Sequence, residues 1–473
     1  MKNYKEKFNG KKITVMGLGL LGRGIGYTKF LAECGADLIV TDLKTREQLA
    51  TSLKALEKFP NIKYVLGEHR LEDFRSRDMI MKAAGVPYDS IYIEEAKKNN
   101  IPVEMDVSLF AKTAPEVMII GVTGTRGKSM TTTLIYEIIK NNSTAININD
   151  NQGNKIKNIN VYAGGNLRGV ATLPLLAKVK EGDVLVCELD SWQLQGFGEG
   201  KISPHISVFT TFMPDHMNYY KNSMERYFDD KAFIFKNQKK EDILVVCSGM
   251  KKLISKNIKS KMIVVNKKDV ENWKFIVPGV HQKDNLACAV KAAEQLGIPI
   301  SKIKKTVKDF KGLEGRLQLL RVYKGITIYN DNNATTPEAT IAGIIALASL
   351  PINSSRQGLA EKKSGSQTSK NIILICGGAD KKLNLTTFVK TVNDNCKAVS
   401  LIPGTGTDVL LNEYKLKVNY KVGKDFNEVV QTSLNLATRG DIILFSPAFA
   451  SFGMFNNEYE RNDLFMKIIK NLK

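Results

Sequence analysis

The run Gly121-Val122-Thr123-Gly124-Thr125-Arg126-Gly127-Lys128-Ser129 constrains the fold of this 473-residue chain more than any other stretch. A strand-forming run, Val117 to Ile120, leads into it, and a helix-forming run, Met130 to Lys140, follows. A glycine-rich turn between strand and helix aims backbone N–H groups at one point, and the helix N-terminus adds partial positive charge there. Such a turn binds phosphate. Lys128 can reach the terminal phosphates of a nucleoside triphosphate, and the Ser129 hydroxyl can ligate Mg²⁺. The common GxxxxGK[ST] spacing would need glycine at 122, which is valine, so the run is the narrower variant TGTxGKS, Thr123 to Ser129.

Length points to two to four domains. Hydrophobic residues at 43% and charged residues at 25% are those of an ordinary soluble globular protein. No apolar run reaches the ~18 residues a membrane span needs, and the basic N-terminus does not read as a signal peptide. Six cysteines are scattered without a CxxC pair, which speaks for the cytosol and against a zinc cluster or disulfide framework. The net charge of +21 raises the question of a nucleic-acid partner. Its lysines are spread along the whole chain without a nucleic-acid module, so no nucleic acid is expected, while an anionic substrate gains from the field either way.

The first segment opens with a strand, Lys12 to Met16, then Gly17-Leu18-Gly19-Leu20-Leu21-Gly22. This GxGxxG follows a strand and precedes a helix, and a second strand, Asp37 to Thr41, ends at Asp42 where a ribose-binding acid belongs. The turn can hold any diphosphate. A third strand, Met79 to Lys82, runs into the turn Ala83-Ala84-Gly85-Val86-Pro87, and the segment ends near Lys112.

In the second segment a strand Asp183 to Cys187 ends at Glu188 and is followed by Leu189-Asp190-Ser191-Trp192. Another, Ile206 to Thr210, ends in Pro214-Asp215-His216-Met217, and a helix carrying Tyr227 and Lys231 comes next. Strands alternating with helices predict a mainly parallel sheet whose carboxyl edge collects Lys128, Ser129, Glu188 and His216. The third segment starts near Leu313-Glu314-Gly315-Arg316 and alternates again through Ile326–Asp331, Ile372–Gly378, Val399–Ile402 and Asp441–Pro447. Residues 353–370, rich in Ser, Gly, Lys and Gln, read as a mobile surface loop without catalytic meaning. The expected class is α/β with three domains. A Rossmann-like domain spans 1–112, a central P-loop-type ATPase domain with a mainly parallel sheet spans 113–312, and a C-terminal Rossmann-like domain spans 313–473.

With the phosphate loop, Glu188, the Pro214–Met217 turn, Lys231 and the Gly312–Arg316 junction in this order, the chain resembles the Mur ligase family over essentially its whole length. Within the family it looks most like the branch that adds D-glutamate to UDP-N-acetylmuramoyl-L-alanine. The resemblance implies a UDP-binding first domain, an ATP- and Mg²⁺-binding central domain and a third domain that brings the amino acid. It implies an acyl phosphate made from the ATP γ-phosphate and attacked by the amine, in a cytoplasmic monomer. Leu20, Leu21, Asp42, Asn166 and Ser191 are implied in binding the UDP substrate, and Thr335, Lys381 and Ser451 in binding D-glutamate. Gly124, Thr125, Gly127, Lys128, Ser129, Gln282, Arg316 and Asp331 are implied in holding ATP. Ser129, Glu188, His216 and Lys231 are implied in holding two Mg²⁺ ions, with Lys128, His216 and Lys231 in catalysis. The resemblance also implies a carbamate on Lys231, which requires a neutral amine. The reading of the residues alone leaves a helix-surface lysine paired with Asp229 or Asp230 as the alternative.

The chain departs from the family's pattern in four places. The Ser-Lys-Ala-Thr run reads Asn332-Asn333-Ala334-Thr335, so a lysine is missing beside the amino-acid site. Gln282 stands for an asparagine, Glu458 for an aromatic, and Arg126 for a common asparagine. Competing readings are a family member with another acceptor, a folylpolyglutamate synthase, a basic nucleic-acid-associated ATPase and a nicotinamide dehydrogenase. The N-terminal glycine fingerprint argues against the synthase, and the last two leave Lys231 and His216 unexplained.

Overall fold

The computed structural model describes residues 4–20, 22–149, 153–167, 169–254, 258–279, 281–349 and 370–472. Leu21 and the 353–369 stretch therefore lie outside the described residues. Three sheets carry the fold. The first holds β1 (Lys12–Met16), β2 (Asp37–Asp42), β3 (Ile62–Leu66), β4 (Met79–Lys82) and β5 (Val103–Glu104) in the order β3-β2-β1-β4-β5, all parallel. The second holds β6 (Met118–Thr123), β7 (Val161–Gly165), β8 (Val184–Glu188), β9 (Ile206–Phe209), β10 (Ile243–Cys247) and β11 (Lys261–Val265) in the order β11-β10-β9-β6-β8-β7, again all parallel. The third holds β12 (Gln318–Tyr323), β13 (Ile326–Asn330), β14 (Ile372–Gly377), β15 (Cys396–Ile402), β16 (Asn419–Val422) and β17 (Ile442–Phe445) in the order β12-β13-β17-β14-β15-β16.

The third sheet is parallel except for β12, which pairs antiparallel with β13. Two residues join them, Lys324 (φ 49°) and Gly325 (φ 81°), both left-handed. That is the backbone a two-residue hairpin needs, because its twist matches the flanking strands. The continuous apolar run of β14 is explained by burial on both faces. Ile372, Leu374 and Cys376 pack with Phe388 and Leu410 on one side, and Ile373 and Ile375 pack with Phe426 and Phe465 on the other.

The chain divides into two compact units, Met1–Asn272 with Asp284–Val307, and Trp273–Lys283 with Lys308–Lys473. The first unit contains the first two sheets and the second unit the third. Strand order reverses between β1 and β4 in the first sheet and beside β6 in the second, and such a reversal opens a crevice at the carboxyl ends where α/β proteins bind ligands.

Candidate active site

Strand β6 delivers the phosphate loop. Gly127 (φ 88°) caps the Lys128–Asn141 helix with no side-chain acceptor, so an anion is the natural partner for the first turn. A side chain at Gly127 would overlap Asn285 Oδ1, and one at Gly124 (φ 143°) would overlap Thr210 Oγ1. Thr210 and Thr211, just past β9, clamp the loop. Thr125 N donates to Thr211 O (2.7 Å), Arg126 N to Thr211 Oγ1 (2.9 Å), and Thr210 Oγ1 to Arg126 O (2.6 Å). Asn285, Thr210 and Thr211 are functional neighbours that sequence reasoning misses, because their proximity to the loop is made only in space.

Two lysines meet at this loop. Lys128 Nζ donates to Gly124 O (3.0 Å) and Thr125 O (3.1 Å), and Lys231 Nζ donates to the same Gly124 O (3.0 Å). Lys231 is 1% exposed, which rules out the helix-surface alternative. Its two neighbours are engaged elsewhere. Asp229 pairs with Lys236 (2.9 Å), while Asp230 accepts from Gln195 Nε2 (2.8 Å) and Tyr220 OH (3.0 Å). Burial, and next the Lys128 ammonium, push Lys231 down to about 7. Its ammonium lies 4.8 Å from the centre of the Tyr227 ring, and the Tyr227 hydroxyl lies 3.4 Å from Thr125 Oγ1. His216, in the left-handed region (φ 55°), lies tilted against Trp192 at 4.8 Å between ring centres and edge-on to Tyr227 at 6.3 Å. The structure thus gathers Gly124, Thr125, Lys128, Lys231 and His216 around one loop, with Ser129 the second residue of its helix.

Glu188 ends β8 and is 5% exposed. Its side chain accepts from Asn166 Nδ2 at 3.4 Å, and Asn166 Oδ1 in turn accepts from Arg23 (3.1 Å). This relay reaches a cavity of about 420 Å³ lined by Gly17, Gly19, Leu20, Arg23, Lys82 and Gln193, among others. Asp42 anchors backbone around this cavity with both carboxylate oxygens. Oδ2 accepts from Gly19 N and Oδ1 from Lys44 N, each at 2.9 Å, so Asp42 shapes the glycine turn of this cavity. Lys82 is a further residue that the sequence reading named only as a strand end. It is 1% exposed and donates to Val86 O (2.6 Å). Ser191 is buried as the first residue of the Ser191–Glu199 helix, whose N-cap is Asp190 in a capping box.

The second unit holds the remaining candidates. Asp331 is buried and accepts from Leu317 N (3.0 Å) and Ser446 Oγ (2.8 Å), and burial raises it to about 7. Arg316 is exposed, and its charge acts on Asp331 in the opposite, lowering direction, while Gln282 contacts its neighbour His281. Lys381 Nζ donates to Thr335 O (2.8 Å), and burial lowers its affinity for a proton, followed by the charge of Arg461. The Ala379–Ala450 bridge sets the Lys381 turn beside buried Ser451. Asn333, at the place of the missing lysine, donates to Glu314 O (3.4 Å).

No group of three His, Cys, Asp or Glu side chains that could hold a metal occurs among the described residues. Glu188 and His216 give one carboxylate and one imidazole, a thin set for a hard cation that wants six oxygens. Phosphate oxygens and an oxygen-bearing group on Lys231 would complete it, so the residues fit Mg²⁺ only together with a nucleotide.

Sheets and loop together define an α/β protein of three sheets with a phosphate-binding turn after β6. Residues 122–301 match the Mur ligase middle domain, and residues 11–104 match the MurD-like N-terminal domain of Mur ligases. The UDP-N-acetylmuramoylalanine–D-glutamate ligases of Roseiflexus sp. (strain RS-1) and Borreliella afzelii (strain PKo) are 31% and 32% identical, over 98% of both chains in each case. The chain belongs to the Mur ligase family. Its fold is also that of UDP-N-acetylmuramate-alanine ligase MurC from Thermotoga maritima, with a TM-score of 0.56 and 16% identity over 98% of this chain and 100% of the other. A MurF ligase from the same organism, solved with ADP, gives a TM-score of 0.53 at 16% identity over 92% and 95% of the two chains.

Proposed function

We propose that this chain joins D-glutamate to UDP-N-acetylmuramoyl-L-alanine in the cytoplasmic synthesis of a peptidoglycan precursor, and that it does so as a monomer. It is an ATP-dependent carbon–nitrogen ligase that releases ADP and phosphate. The substrate carboxylate takes the γ-phosphoryl group of ATP and becomes an acyl phosphate. The amine of D-glutamate adds to its carbonyl carbon, and the tetrahedral adduct expels phosphate as the amide forms. Residues 1–112, 113–312 and 313–473 serve as UDP-substrate, ATP and amino-acid domains, each with one of the three sheets.

The observation that carries this reading is the pair of lysines on the Gly124 carbonyl. Lys128 neutralises charge on the phosphoryl group in transfer. Lys231, buried and held down near 7, is an amine that can add CO₂. As a carbamate it would hold Mg²⁺ with Glu188, His216 and Ser129. Bound there, Mg²⁺ supplies positive charge to the oxygens of the transferred phosphoryl group. Gln282, Arg316 and Asp331 are the further residues assigned to the nucleotide. Thr335, Lys381 and Ser451 take the amino acid, while Leu20, Leu21, Asp42, Asn166 and Ser191 take the UDP substrate. Asn333 and Glu458 favour, as a second reading, a family ligase with a different acceptor.

Amino-acid-dependent release of phosphate from ATP with UDP-N-acetylmuramoyl-L-alanine tests the reaction. Two further results are expected. Asp42→Ala removes the acceptor for Gly19 N–H and should weaken UDP-substrate binding about tenfold while leaving ATP affinity near wild type. Calorimetry with each nucleotide checks this, and equal losses would contradict separate sites. The second concerns pH. A neutral Lys231 is needed for CO₂ addition, so activity should fall as pH drops. With the group at about 7, the neutral fraction goes from about nine-tenths at pH 8 to about one-tenth at pH 6. A pH–rate profile at fixed bicarbonate checks this, and a profile flat across that range would oppose it.

A further inference from the structure

Cys247 and Cys288 stand apart from the nucleotide chemistry, yet their positions bear on it. Cys247 ends β10, and Cys288 lies in the second turn of the His281–Glu294 helix. Their sulfurs are 3.2 Å apart, in the one thiol–thiol hydrogen bond among the described residues, and both are free thiols. Cys288 is 0% and Cys247 8% exposed. The hydrogen bond shared with Cys247 and burial keep Cys288 protonated well above the usual thiol range, so Cys247, the less deeply buried residue, meets an oxidant first.

A disulfide needs the sulfurs at about 2.05 Å, roughly 1 Å closer than the thiols now stand. Closing that gap draws the helix toward the end of β10. Asn285 sits three residues before Cys288, on the same face of the helix, and it is the side chain packed on Gly127 at the start of the phosphate helix. Asp284, next to it, accepts from Lys267 N (2.9 Å), so this first turn is tied on both sides. A shift at Cys288 is therefore felt at Gly127.

We propose that Cys247 and Cys288 form a reversible disulfide under peroxide and that the bond weakens nucleotide binding at the phosphate loop. The Cys247 thiolate attacks the peroxide: an S–O bond forms, the O–O bond breaks, and hydroxide leaves and takes a proton as water. Cys288 sulfur then attacks the Cys247 sulfenic acid. The S–S bond forms, the S–O bond breaks, and the departing hydroxide takes the Cys288 proton as a second water. The thiols lose two electrons in all, and the peroxide gains them. The proposal uses only the phosphate-loop assignment, and its mass readout does not depend on any activity.

The full-length protein is treated with hydrogen peroxide, denatured, alkylated with iodoacetamide and measured by intact and peptide mass. Two of the six cysteines should escape alkylation, and the linked peptides should contain Cys247 and Cys288. The Kd for ADP, from calorimetry, should rise at least about fivefold, the lower end of coupling between two sites, and return to its starting value with dithiothreitol. Cys247→Ser and Cys288→Ser, each alone, should bind ADP like the reduced wild type before and after peroxide. Alkylation of all six thiols, a link between other cysteines, or a formed link with unchanged ADP affinity would overturn the proposal.

Discussion

Lys128→Ala should lower ligation by about a hundred- to a thousandfold, the scale for removing one preorganised charge from a phosphoryl or oxyanion site, and leave the melting temperature close to wild type. The loss follows from where the ammonium stands. Lys128 Nζ rests on Gly124 O and Thr125 O, both in the loop that receives the phosphates. Fold and loop do not depend on it, because Thr210, Thr211 and the packing of Gly124 and Gly127 hold the turn. The variant should also shift a second group. Lys128 is, after burial, the main influence lowering Lys231, so removing its charge lets Lys231 hold a proton more strongly. The acid limb of the residual activity should then move to higher pH. Initial rates across pH, with a melting curve as control, check both. Turnover near wild type would place the triphosphate elsewhere.

Lys231→Ala should be as damaging, and a short carboxylic acid in the buffer should restore part of the loss. The side chain is fully buried and has no carboxylate in ion-pair contact among the described residues. A buried lone ammonium is costly to keep, whereas its CO₂ adduct is an anion that a cation can neutralise. Alanine leaves a gap of the right size for formate or acetate. A purely structural lysine predicts something different: a drop in melting temperature, wild-type turnover in the folded fraction, and no response to acid. Removing CO₂ from the wild type and adding bicarbonate back should reproduce loss and recovery without any mutation. A fully active Lys231→Ala enzyme would sink the carbamate and the role of this site in holding a second ion.

Much of the site was legible because its residues sit at strand ends. Glycine turns after β1 and β6, with Asp42 and Glu188 closing β2 and β8, are local patterns, and local patterns survive in sequence. Strand boundaries moved by a residue or two: Asp183–Cys187 became Val184–Glu188, and Ile206–Thr210 became Ile206–Phe209. β3, β10 and β11 went unnamed although β10 is a continuous apolar run, whereas two other strands that escaped lack a periodic apolar signal. β16 is exposed along all four residues, and β7 ends in two glycines. β12 joined as an antiparallel edge through a Lys-Gly turn whose left-handed lysine has no strong sequence mark. The burial of Lys231 was illegible for another reason. Its acidic neighbours Asp229 and Asp230 suggested a solvated face, but they turn to Lys236 and to Gln195 with Tyr220, leaving the lysine to the loop. The clamp by Thr210, Thr211 and Asn285 needed the third dimension.

The central claim is that this chain transfers D-glutamate, and the most direct measurement is phosphate release over a panel of amino acids. The purified protein is supplied with ATP, Mg²⁺, bicarbonate and UDP-N-acetylmuramoyl-L-alanine, and each amino acid is added singly, with the nucleotide product weighed by mass spectrometry. Release should require D-glutamate and give a product heavier by one glutamyl residue, with L-glutamate, lysine, diaminopimelate and neutral amino acids near background. Release driven by another amino acid would assign the Asn333 and Glu458 changes to a different acceptor, and release indifferent to any amino acid would contradict the ligase itself.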